Sequence, residues 1–257
     1  MPAQWEPTQQ SKTMMEFLSA VYKTMMNDAL ELRHRIRLFW TGLGCGNEYR
    51  AYLRLQLNRS LIKRSKAPKL RTQLLIDQVL ASTVVRAEST VLCIGVRNSL
   101  ELEGFARRGV VNVVGIDLFS EDPGIRVMDM HELKFADDRF DIIYACHSLE
   151  HAYDANVVTR EIIRVARHGA LAAIEVPIQY QTTDADRIDF QNLDGLLKLF
   201  QGHVGSVLWS EVQPPLSPRN ESGTAILRTI FSVSKPQASG EPQTQPTSES
   251  LIGLRAS

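Results

Sequence analysis

Five short apolar runs punctuate the middle of the chain: TVLCIGV, NVVGIDL, IRVMD, FDIIYAC and LAAIEVP, between residues 90 and 177. Each is too short for a buried helix and rich in β-branched residues, so each predicts a strand covered on both faces. Amphipathic stretches such as SLELEGFARRG and NVVTREIIRVARHG separate most of them and predict helices. Strands alternating with helices give a parallel sheet with helices on both faces. Two later runs, GSVLWSEVQ and TAILRTIFSVSK, have no helix-length pattern between them, only PPLSPRNESG. They predict an antiparallel pair at the sheet edge. The expected fold is therefore α/β: a Rossmann-like doubly wound sheet, mostly parallel, with an antiparallel edge strand pair.

The flanks follow other patterns. Residues 1–85 predict a helical extension or cap, with Leu53, Leu57 and Leu61 at four-residue spacing and Arg50, Arg54 and Arg59 among them. TGLGCGNE, residues 41–48, is read as a turn between helices, because no β-branched strand precedes its glycines. Residues 86–236 form the sheet domain. Residues 237–257, rich in Ser, Gln, Thr and Pro, are expected to be a disordered tail.

Charge adds one feature. The 257 residues carry 29 basic and 29 acidic side chains, so the whole chain is neutral. Residues 33–71 nevertheless hold eleven Lys or Arg against the single acid Glu48. That segment is either a solvated helical face or a docking surface for an anionic substrate or for the main domain. No apolar run reaches the ~18 residues of a membrane span, and the polar MPAQWEPTQQ lacks a signal core. Three cysteines without metal-like spacing predict reduced thiols. The expectation is a cytoplasmic protein with no membrane partner.

Candidate chemistry collects where the strands end. In an open parallel sheet, ligands bind beyond the carboxyl ends of the strands. Gly95 follows the first run, Asp117 ends the second, Asp129 with Met130 and His131 ends the third, and Cys146 and His147 end the fourth. Asp117 lies 22 residues after Gly95, near the ~20-residue offset of a carboxylate that takes both ribose hydroxyls of a nucleoside. Only one glycine remains in the turn. A dinucleotide seats its pyrophosphate on bare backbone there, and Arg97 and Ser99 would crowd that seat. S-adenosylmethionine has no phosphate and tolerates side chains.

VLCIG, VVGIDLF, VMDMHELKFADDRFDIIYACHSLEHAYD and EIIRVARHGALAAIEVP together resemble class I S-adenosylmethionine-dependent methyltransferases, the group that carries LEH after its fourth strand. The resemblance covers about residues 88–235 and implies S-adenosylmethionine as cofactor. It implies that Asp117 holds the ribose, that Asp129 contacts the adenine amine, that Met130 packs on the adenine, and that Cys146 and His147 line the methyl end. Cys93, Gly95, Arg97, Asn98, Glu101, Leu118 and His131 complete the expected cofactor set, with Arg97 a substitute partner for the methionine carboxylate. The usual G-x-G-x-G is here Gly95-Val96-Arg97-Asn98-Ser99, and the usual Lys-Pro-Gly-Gly is Arg167-His168-Gly169-Ala170.

His147-Ser148-Leu149-Glu150-His151 admits three uses. On a helical turn, His147, Glu150 and His151 share one face at i, i+3 and i+4. They can brace the loop, present His147 as a base of unperturbed pKa ~6.5, or hold a metal. No metal is assigned. His147 is the candidate catalytic base. His151, Tyr180, Asp184 and Arg187 are candidate substrate contacts, because their loops leave the same sheet edge.

Three functions follow as expectations: methyl transfer to a small molecule, with an anionic acceptor in view of the basic segment; methylation of RNA or protein through the basic helices; or a cofactor-binding partner without turnover. Nucleic acid is not favoured, since the chain is neutral and shows no recognised module. The N-terminal helices are equally suited to pairing two chains as a homodimer.

Overall fold

The computed structural model describes residues 46–63, 73–218 and 220–236, with isolated positions between 16 and 32. Most of TGLGCGNE, much of the basic segment and the whole of 237–257 lie outside the described residues. Seven strands form one sheet: β1 (Thr90–Ile94), β2 (Asn112–Asp117), β3 (Ile125–Val127), β4 (Phe140–Cys146), β5 (Ala166–Ile178), β6 (Val204–Gln213) and β7 (Ala225–Val233). Their order is β3-β2-β1-β4-β5-β7-β6. The first five run parallel, and β7 runs antiparallel to both β5 and β6. Strand order reverses between β1 and β4, the place where a crevice opens in a doubly wound sheet.

The described helices are α1 (Asn47–Lys63), α2 (Gln73–Leu80), α3 (Leu100–Ala106), α4 (Ala155–Val165) and α5 (Leu193–Lys198). One face of the sheet packs on α2 and α3 through Leu75, Ile76, Val79 and Phe105. The other packs on α4 and α5 through Val158, Ile162, Val165 and Leu196. So α2, although it lies within the first 85 residues, shares the core of the sheet. It crosses α3 closely enough that a Cβ on Gly104 would sit 2.8 Å from Ile76 Cδ1.

Two boundaries differ from expectation. ARHG, read as the end of a helix, opens β5 instead. Asp154 caps α4 by accepting from Asn156 N and Val157 N, and the helix gives way to strand with no loop at Ala166. Ala166 pairs with Phe140, and Arg167 is tied to Asp141 at 2.5 Å. FQNLDGLLKLF yields a helix of only six residues, because Asn192 caps it by accepting from Gly195 N.

Candidate functional site

The ends of β1, β2, β3 and β4 surround a cavity of about 850 Å³. Its floor is set by register: Ile94 pairs with Ile116 on one side and Ala145 on the other, so the turns after these strands open at one level. Gly95 turns the chain with φ +76°, donating its N–H to Ile116 O at 2.8 Å. A Cβ there would meet Ser148 Cβ at 2.4 Å. The glycine is thus required by the neighbouring loop as well as by backbone conformation.

The rest of that turn is held by side chains where several glycines were expected. Ser120 Oγ donates to Arg97 O (2.7 Å), Ser99 N donates to Asp122 Oδ2 (2.9 Å), and Leu100 N donates to Asn98 Oδ1 (3.1 Å). Loop residues after β2 therefore fix the loop after β1.

Gly95, Arg97, Asn98, Glu101, Asp117, Leu118, Asp129, Met130, Cys146, His147, His151 and Tyr180 all line the cavity. Asp117 accepts from Phe119 N through Oδ1 at 2.8 Å. Burial pushes its carboxyl up to about 6, against the Phe119 amide, Arg97 and His151. Burial also raises Glu101. Asp129 is lowered: burial works against its charge, but His131 and Tyr49 outweigh it. Tyr49 Oη donates to Asp129 Oδ2 at 2.5 Å, and His131 N donates to Oδ1 at 2.9 Å.

Four expected residues are placed elsewhere. Cys93 is fully buried and packs with Val91, Val96 and Phe105 beneath α2 and α3, so it presents no surface to a ligand. His131 does not line the cavity. Its ring sits 2.7 Å from Asp129 Oδ1 and accepts from Tyr153 N at 3.0 Å, so it orients Asp129 from behind. Asp184 lies exposed on the loop after β5. Arg187 stacks over Tyr153 at 5.0 Å.

The base expected at His147 takes a different form. His147 has φ +50° and stands outside the following 3-10 turn, Leu149–His151, so His147, Glu150 and His151 do not share one helical face. Its Nε2 lies 3.0 Å from Glu175 Oε1 and its Nδ1 3.5 Å from Glu150 Oε1. Burial opposes charge on the ring, but the two carboxylates prevail and raise its pKa to about 9. A pKa raised in this direction favours the imidazolium over the neutral ring that would take a proton.

His147 is one link of a longer ladder. Arg228 on β7 donates through Nε to Glu175 Oε2 at 2.5 Å, both residues buried in paired strands. Beyond Glu150, His151 Nδ1 lies 2.9 Å from Asp186 Oδ1, and Arg59 of α1 clasps both Asp186 oxygens at 2.9 and 3.1 Å. Asp186 is held far below the usual carboxylate range, chiefly by its hydrogen bond to His151. Tyr52, Gln56, Arg59 and Ser60 of α1 form the roof of the cavity, and Gln56 donates to Ala185 O at 3.0 Å. Sequence reasoning singled out none of these four as contacts, nor Glu175 or Arg228, while Glu150 was expected as a loop brace or metal ligand beside His147 and His151. A glutamate inside the apolar run LAAIEVP and an arginine inside TAILRTIF were the available signals, since a strand buried on both faces keeps a charge only with a partner.

The donor set suits S-adenosylmethionine. It offers a buried carboxylate at the second strand end, a glycine where a ligand approaches backbone, apolar Leu118 and Met130, and acidic Glu101 for a cationic group.

Comparison with known proteins agrees. Residues 92–174 match the family described as a methyltransferase domain. No curated protein sequence matches the chain. Among solved structures, the YcgJ protein of Bacillus subtilis is 14% identical, with a TM-score of 0.50, over 64% of this chain and 99% of that one. The MccD protein is 12% identical with a TM-score of 0.51, over 62% and 96%. Haemonchus contortus phosphoethanolamine N-methyltransferase 2, solved with phosphomonomethylethanolamine and S-adenosylhomocysteine, is 15% identical with a TM-score of 0.50, over 65% and 53%. At these identities the likeness is one of fold, and it joins the match over residues 92–174 and the strand-end chemistry in one conclusion: that segment carries a methyltransferase domain, with S-adenosylmethionine as its cofactor.

Proposed function

We propose that the protein moves the methyl group of S-adenosylmethionine to a small-molecule acceptor held under α1. The observation that carries this reading is the roof: Tyr52, Gln56, Arg59 and Ser60 of α1 line the same cavity as the strand ends, so a small acceptor beside the cofactor meets side chains from both. Asp117 takes the ribose hydroxyls, since an ionised carboxylate accepts both hydrogens. Met130 and Leu118 flank the adenine, and Arg97 is the partner for the methionine carboxylate. In-line transfer then forms the acceptor–carbon bond as the sulfur–carbon bond breaks, and placement supplies most of the rate. Arg59, among the described residues of the roof, is paired with Asp186.

Calorimetric titration with S-adenosylmethionine and S-adenosylhomocysteine tests this, on the wild type and on Asp117→Ala. Micromolar binding that the variant weakens tenfold or more is the expected result. A folded wild type that binds neither ligand would end the proposal.

A further inference from the structure

We infer a divalent metal site at the end of β4, made by Cys146, His147 and Glu175. The imidazole, thiol and carboxylate ligand atoms all lie within 4.8 Å of one another. Glu175 Oε1 is 3.0 Å from His147 Nε2 and 3.4 Å from Cys146 Sγ. A tetrahedral ion with bonds of roughly 2.0–2.3 Å spaces its ligands by about 3.3–3.6 Å, so Glu175 Oε1 stands within a few tenths of an ångström of that spacing from each of the other two.

Two further observations point to a ligand here. His147 Nε2 is buried with no well-aligned hydrogen bond, although Glu175 stands beside it. Its charged neighbour is Glu175 Oε1 at 3.0 Å, an ion pair without a well-aligned hydrogen bond. The surroundings also have the form of a metal site's outer shell. Arg228 anchors Glu175 Oε2, which leaves Oε1 as a single donor. Glu150 Oε1 stands 3.5 Å from His147 Nδ1, the carboxylate–histidine arrangement that aims the opposite ring nitrogen at an ion. Thiolate, imidazole and carboxylate together select zinc over magnesium or calcium.

Cys146 and His147 line the cavity, so an ion has a way in, and its fourth position opens toward the acceptor space. The site differs from a His147–Glu150–His151 set, whose backbone does not place the three on one face.

The full chain, stripped with chelator, is titrated with Co²⁺, a spectroscopic stand-in for Zn²⁺. One equivalent should produce intense visible bands of a tetrahedral ion and an ultraviolet thiolate-to-cobalt band, both bleached by Zn²⁺. Cys146→Ser should lose the ultraviolet band and weaken binding at least about a hundredfold, with circular dichroism unchanged. His147→Gln should weaken it similarly, and Cys45→Ser should leave it intact. No thiolate band at one equivalent in a folded chain would overturn the site. So would a band that survives Cys146→Ser. Neither readout depends on cofactor binding or on turnover.

Discussion

The two ends of the cavity are built on opposite electrostatic plans. At the β2 end, Asp117 and Glu101 are carboxylates raised by burial, which Arg97 opposes at both and His151 at Asp117 without overcoming it. At the β4 end, every carboxylate has a basic partner: the side chains of Arg228, Glu175, His147, Glu150, His151, Asp186 and Arg59 follow one another from the edge strand to the roof helix. The first plan holds charge in readiness for ligand hydroxyls, at the expense of stability. The second has its charges matched internally and ties three separate segments together.

The sharpest way to break that contrast is to cut the ladder at its most buried link. Arg228→Met should lower unfolding free energy by about 3–5 kcal/mol, because Glu175 keeps its buried charge without one of its two partners. Urea denaturation measures it, and a loss below about 1 kcal/mol would mean the ladder is not a unit.

Titration comes next in size. The pKa of His147 is raised from 6.5 to about 9, so its stabilisation is complete below pH 6.5 and disappears as pH rises through 9. Thermal midpoints should fall between pH 7 and 9.5 in the wild type and stay flatter in His147→Gln.

At the other end the same kind of change should cost binding and spare the fold. Asp117→Asn should weaken S-adenosylmethionine about tenfold, roughly 1.4 kcal/mol, with a thermal midpoint equal to or above the wild type, since the desolvated charge is gone. In the wild type, affinity should hold above pH 6 and decline as pH falls through 6, where Asp117 takes up a proton. Calorimetry at a series of pH values tests both.

The smallest effect is expected at the roof. Arg59→Gln removes a half-buried pair and should shift stability by less than about 1 kcal/mol, while speeding cofactor release in a stopped-flow experiment. An unchanged release rate would separate α1 from closure.

The strands were legible in the sequence because five apolar, β-branched runs leave little choice of period. FDIIYAC is a strand over the same seven residues that the pattern marks. Asp117, Asp129 and His147 were legible as cavity-facing strand-end groups because parallel topology brings those ends together. What lay hidden was everything set by tertiary placement. No local pattern says that a helix forty residues upstream lays Tyr52 and Arg59 across the strand ends. Nor does a histidine announce that two distant glutamates will charge it. Cys93 misled because a strand sends alternate side chains to opposite faces, and it points toward α2.

Gly95 and Ser148 occupy nearly one volume, with a virtual Cβ only 2.4 Å from a real one. The consequence is a coupling between two loops: neither can be enlarged unless the other is shrunk. Gly95 is held by that pairwise constraint, which does not act on Arg97, Asn98 or Ser99.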